Sequence, residues 1–196
     1  PAPMLVWIRF LGQLILVLIL LRHRFFTHLR SKYIRVHVAR AVTQIGATAL
    51  FFTSLAYIGL AEATALIDVN PVLITLGAAV FLGERLGPRR LFGVGAALVG
   101  ALIIIRPGAG LFSLAALLPL AGAVSYAANA LITRWIGPKE SAWTSMVFTS
   151  VICTAMASLS LPFVWEPIAS PDLPTFALVG LLGTLAQLCI IRAFTL

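Results

Sequence analysis

Seven stretches of mostly apolar residues, each near the length of one membrane crossing, recur along the 196-residue chain and are parted by short strips rich in Arg, Lys, Pro or Gly. They cover residues 4–21, 41–60, 64–83, 91–105, 112–133, 142–164 and 175–193. A helix needs about 20 apolar residues to cross a hydrocarbon core of about 30 Å, so the spacing predicts an all-α, polytopic membrane bundle with about seven spans. The fourth stretch is the shortest and is expected to begin inside the Arg89, Arg90 strip, whose side chains snorkel outward. Only 10% of residues are charged, against about 25% in soluble domains, which is too few to coat a water-facing surface. A soluble enzyme, a disordered segment, a secreted disulfide scaffold and a nucleic-acid-binding domain are thereby excluded as first readings.

The formal charge of +8 is a matter of placement rather than of a nucleic-acid partner. With the first span running inward, twelve of the fourteen cations fall on one side: Arg22, Arg24, Arg30, Lys32, Arg35, Arg40, Arg85, Arg89, Arg90, Arg134, Lys139 and Arg192. The other side keeps Arg106 and the acids Glu62, Glu166 and Asp172. Short cytoplasmic loops gather Lys and Arg, so the first residue is expected outside and the last inside a plasma membrane. The strips read as loops, and the one from Arg22 to Arg40 either fixes topology or also meets anionic lipid. The first span starts three residues after Pro1 and the last ends close to Leu196, an arrangement expected of a fragment of a longer bundle.

Ionisable groups inside the hydrocarbon layer are costly and therefore functional candidates. Arg9 and Asp68 lie at a similar depth near the outer side, where they pair with each other, hold a solute or its proton, or snorkel to the interface. Asn70 and Pro71 follow Asp68, and the proline removes a backbone hydrogen bond from the Ile67 carbonyl, so a kink is expected there and likewise at Pro119. Gln44, Tyr57, Ser125, Tyr126, Asn129 and Gln187 form a second polar set that either contacts a solute or bonds helix to helix for about 0.6 to 2 kcal/mol apiece. The hydroxyls of the sixth span read as such interhelical bonds. Gly93 with Ala97 and Ala96 with Gly100 form small-residue pairs suited to an internal seam or a homodimer face.

His23, His28 and His37 all fall in the first cationic strip, so no intramembrane Ser-His pair and no histidine metal site is expected. Cys153 and Cys189 each sit alone in an apolar run. No P-loop pattern occurs, and neither a cofactor nor catalysis is expected.

Read in order, Leu60-Ala61-Glu62-Ala63-Thr64-Ala65-Leu66, Asn70-Pro71-Val72, Phe81-Leu82-Gly83-Glu84-Arg85-Leu86-Gly87 and Gly93 through Gly100 to Arg106-Pro107-Gly108 resemble the first repeat of the EamA family of drug/metabolite transporters. The resemblance implies a ten-helix basket built from two inverted five-helix repeats around a central cavity. Residues 1–108 then supply most of the first repeat and 109–196 the first part of the second, corresponding to family helices two through eight. It also implies that Glu62, Pro71, Glu84, Arg85, Gly93 and Gly100 are structural motif positions, with Glu84 pairing with Arg85, Arg89 or Arg90 to fix its loop. A multi-pass permease moving small metabolites or drugs by alternating access is the expectation, with the lipid bilayer and a small solute as its partners. The rival is a membrane scaffold or partner subunit whose buried polar groups only join helices.

Overall fold

The computed structural model describes residues 2–105, 114–164 and 173–193. Its helices in chain order are α1 (Ala2–Leu21), α2 (Phe25–His28), α3 (Ile34–Ser54), α4 (Leu60–Ile67), α5 (Asn70–Phe81), α6 (Pro88–Ile105), α7 (Leu117–Ile136), α8 (Ala142–Val164) and α9 (Leu173–Ala193). No strand occurs among the described residues. Met4–His28, Leu60–Phe81 and Ala142–Leu159 are each long and apolar enough to cross a membrane.

Each expected apolar stretch holds helix in its described part; residues 142–164 coincide with α8, and the others have shifted ends or a break. The second span begins earlier and ends sooner than its apolar run, because the Ser54 hydroxyl donates to the Phe51 carbonyl and the chain turns at Leu55–Ile58. The third is broken between α4 and α5, where Pro71 occupies the first turn of α5 and cannot donate back along a continuous helix. Pro119 departs from expectation. It stands in the first turn of α7, where a backbone N–H has no intrahelical partner in any case, so it begins a helix instead of bending one. As expected, α6 starts within the Arg89, Arg90 strip.

The chain divides into two compact units. The terminal unit comprises Pro1–Ile45 and Ile132–Leu196, and α1 packs lengthwise against both α8 and α9 in it. Gly12 and Gly180 set the closest approach, since a Cβ on Gly12 would lie 2.8 Å from the Gly180 Cα. Val17, Phe25, Met146 and Val147 form a buried apolar cluster at the other end of α1. The connections on that side are clasped together: Ser31 donates to Glu140 at 2.7 Å, and the Lys139 ammonium sits 3.1 Å from the centre of the Trp135 ring, against which Tyr33 stands edge-on.

The central unit, Gly46–Leu131, has a core of small residues that includes Ala63, Ala78, Ala123, Ala127 and Ala130. Within it the Leu-Gly-Glu-Arg motif has a local explanation. Gly83 ends α5 with φ of 68°, a left-handed conformation that glycine adopts without cost, and the Glu84 N–H returns to the Ala78 carbonyl. The Glu84 carboxylate then meets Arg90 at 3.4 Å, tying the loop to the start of α6 as the motif implies. Both partners are solvated, so the pair is worth at most about 1 kcal/mol.

Candidate functional site

The largest polar side chains that these helices bury fully lie in the terminal unit. Arg40 is fully buried, and its guanidinium donates to the Ser145 carbonyl and the Thr149 hydroxyl on α8, and to the Thr133 hydroxyl on α7 at 3.5 Å. One turn earlier His37 is also fully buried, its ring stacked on Phe148 with centroids 4.6 Å apart and planes within 5°. Both positions correct the reading of the Arg22–Arg40 strip as a loop. Residues 34–40 are the opening turns of α3, and a planar guanidinium that reaches three acceptors at once lets Arg40 lie inside protein. Sequence reasoning missed the pair because its packing partners lie more than ninety residues away.

A second polar level follows along the same helices. Trp7 on α1 donates to Ser158 on α8 at 2.9 Å, and Val17 packs on Met146 and Val147, so α1 and α8 run antiparallel. Extended along α1, that register brings Gln13 to about the level of residue 151 of α8, within a turn of Thr154. Helix α3 runs parallel to α8, from the His37–Phe148 stack through Arg40 to the Cys153 thiol, which donates to the Ala41 carbonyl at 3.4 Å. One turn on, Gln44 reaches the level of Thr154. Gln13, Gln44 and Thr154 are all buried, and Arg9 lies one turn of α1 from Gln13. The Arg9 side chain crosses Gly183 of α9, where a Cβ would come within 3.3 Å of its Nε. Three neutral hydrogen-bonding groups and one guanidinium thus occupy neighbouring turns of apolar helices, a composition that suits a polar solute bearing carbonyl or hydroxyl oxygens.

The sequence profile of the EamA-like transporter family matches residues 1–106, more than half of the chain. The chain belongs to the EamA-like transporter family. It is 33% identical over 167 residues to a protein named riboflavin transporter in Rhizobium johnstonii, covering 85% of this chain and 55% of the relative. A riboflavin transporter of Vibrio cholerae serotype O1 is 28% identical over 172 residues, covering 85% and 56% respectively. The pseudopaline exporter CntI of Pseudomonas aeruginosa is 27% identical over 151 residues, covering 74% of this chain and 52% of its own length. The chain thus spans about half the length of these relatives. A crystal structure at 23% identity matches 98% of this chain and 70% of its own with a TM-score of 0.72, which shows a shared fold. The protein is a multi-pass membrane helix bundle of this family.

The sequence-based candidates divide between the two units of this EamA-family chain. Arg9 and Gln44 belong to the terminal unit, as does Gln187, buried on α9. Asp68, Asn70, Tyr57, Tyr126 and Asn129 belong to the central unit. Asp68 is exposed at the end of α4, and Asn70 opens α5 with its carbonyl oxygen buried and without a hydrogen-bond partner. Tyr57 was expected on the second span but stands in the turn after it, 69% exposed, because α3 stops at Ser54. Asn129 is buried on α7, and Tyr126 is half-buried one turn before it. Gly93 and Gly100 meet nothing that a Cβ would touch, so the small-residue face of α6 is open within its unit instead of forming a seam. The α8 hydroxyls do join helices where Thr149 meets Arg40 and Ser158 meets Trp7.

Proposed function

We propose that this chain works as part of a bacterial plasma-membrane permease, a secondary transporter that carries a small metabolite by alternating access and performs no catalysis. The reading rests on one observation: membrane helices of a transporter family bury Gln13, Gln44 and Thr154, with a half-buried Arg9 one turn from Gln13, where hydrocarbon gives such groups no reward. Residues 1–108 and 109–196 contribute to two inverted repeats, with the first residue outside and the last in the cytoplasm. Arg9 and Gln44 contact the solute from the terminal unit. Asn70, Tyr57, Tyr126 and Asn129 are candidate polar contacts within the central unit, taken by itself. Asp68, a carboxylate at the break between α4 and α5, couples transport to protons. The open glycine face of α6 packs against lipid or a second copy.

Riboflavin is the proposed substrate, since relatives named for it align along most of the chain. Its carbonyl-bearing ring system and hydroxylated side chain match the neutral donors and the guanidinium described above. The test expresses the complete open reading frame containing this chain in a riboflavin-auxotrophic bacterium that lacks riboflavin uptake. Growth on low riboflavin and accumulation of labelled vitamin are expected, with the pH dependence of uptake weakened in Asp68→Asn. A flat response in growth, uptake and ligand-dependent thermal stabilisation would instead favour a scaffold or partner subunit, since a bound ligand raises stability by RT ln(1 + [L]/Kd). Efflux of preloaded vitamin without uptake would make the protein an exporter.

A further inference from the structure

Two buried groups in the terminal unit have no hydrogen-bond partner at the level where α1, α3 and α8 bring polar side chains together. Gln13 is 3% exposed and its amide nitrogen is unpartnered; Thr154 is 8% exposed and its hydroxyl is unpartnered. Neighbouring hydroxyls on α8 show what a threonine or serine does in a membrane helix with nothing else to bind. Thr149 bonds back to the Ser145 carbonyl at 2.8 Å, Ser150 to Val147 at 3.0 Å and Ser158 to Thr154 at 2.7 Å. Thr154 alone of these four leaves its hydroxyl unused, although the carbonyl of the preceding turn is within a rotamer's reach. Gln13 interrupts a buried stripe of α1 that is otherwise Val6, Phe10 and Val17, all under 5% exposed. A buried amide nitrogen or hydroxyl left without a partner is costly. Two such groups within about one turn of the same level are therefore unexplained by packing.

We infer that Gln13 and Thr154 are specificity-determining residues of the solute site, donating hydrogen bonds to carbonyl oxygens of an uncharged ring such as an imide or lactam. This rests on the transport reading given above and assigns the ligand chemistry within it. Both groups are neutral, so they attract no ion; both present donors, so they select acceptors. Arg9, one turn away, adds a cation that discriminates against positively charged solutes. A ring whose carbonyls flank or adjoin a ring nitrogen offers acceptors to these donors, whereas a hydrocarbon or an ammonium compound leaves them empty, and a site with unpaired buried groups rejects such ligands strongly.

The experiment compares riboflavin uptake by the complete protein with that of Gln13→Leu, Thr154→Val and Thr154→Ser, measuring KM, maximal rate and the thermal stability of each purified variant without ligand. Gln13→Leu and Thr154→Val are expected to raise KM about threefold to tenfold, as fits one lost neutral hydrogen bond each. Their stability without ligand is expected to hold or rise, because each loses an unsatisfied buried group. Thr154→Ser keeps the hydroxyl and is expected to keep KM. A role in holding helices together would show the opposite pattern, with stability and maximal rate falling at constant KM, and would overturn the inference. Should Gln13→Leu fail to accumulate, the two Thr154 variants decide. Absence of uptake in the unsubstituted protein would remove the transport reading and this inference with it, whereas normal uptake with KM unmoved in both apolar variants would remove the inference alone.

Discussion

Arg40 shows how one side chain binds three helices. Its guanidinium reaches Thr133 on α7 and both Ser145 and Thr149 on α8 from a backbone position on α3, so its removal leaves a cavity and strips hydrogen bonds from hydroxyls in a dry interior. Arg40→Ala is expected to cost about 2–4 kcal/mol, seen as a lowered thermal midpoint in detergent. Arg40→Lys is expected to recover only part of that, because an ammonium cannot present a planar fork to several acceptors. An unchanged midpoint for Arg40→Ala would remove this residue from the bonds that hold the terminal unit together. None of this was legible locally. The stretch Ile34-Arg35-Val36-His37-Val38-Ala39-Arg40 alternates apolar and polar residues as a solvated strip does, and Ile34, Arg35, Val38 and Ala39 are indeed exposed. Phe148, Thr149 and Ser145 from α8, with Thr133 from α7, turn His37 and Arg40 inward.

At the scale of elements, the sequence was most informative where a rule acts along the chain itself. Bilayer thickness fixes how long an apolar run must be, so residues 142–164 coincide with α8 and residues 4–21 lie within α1. Pro71 separates α4 from α5 because the missing N–H is a property of one residue. Pro119 carries the same chemistry but sits where a helix starts, and the apolar run around it hid that boundary. The contact between α1 and α9 was not readable either, since Gly12 and Gly180 are single glycines in long apolar runs and acquire meaning only when they face each other. Gly12→Ala would press a methyl onto the Gly180 backbone, which cannot give way as a flexible side chain can. A loss of about 1–3 kcal/mol is expected from thermal unfolding. Gly95→Ala, on an open face of α6 where a Cβ meets nothing, is the matched comparison and should be neutral or slightly stabilising. Equal effects at the two positions would mean that helix propensity, not the close crossing, governs Gly12.

For the whole molecule, orientation is the property on which the proposed transport depends most, because inverted repeats and a coupling carboxylate acquire direction only relative to the two compartments. The expected charge asymmetry argues for it collectively: even without the buried Arg40, eleven cations assigned to one side by the sequence outweigh Arg106, and no individual strip would decide the matter. The fold adds that the cationic connections at residues 29–33 and 137–141 are clasped together through Ser31 and Glu140, so within the terminal unit they occupy the same end. Two exposed positions convert this into a measurement. Lys32 lies in the first of those connections, and Gly59 lies just ahead of α4 with open space around it. In a background with Cys153 and Cys189 replaced, Gly59→Cys is expected to react with a membrane-impermeant maleimide in intact spheroplasts, and Lys32→Cys only in inverted vesicles. The reverse pattern would flip the molecule, and with it the direction of the proposed transport. Labelling of both from one side would break the assignment of an odd number of crossings between residues 32 and 59, which rests on α3 spanning the bilayer despite His37 and Arg40 in its opening turns.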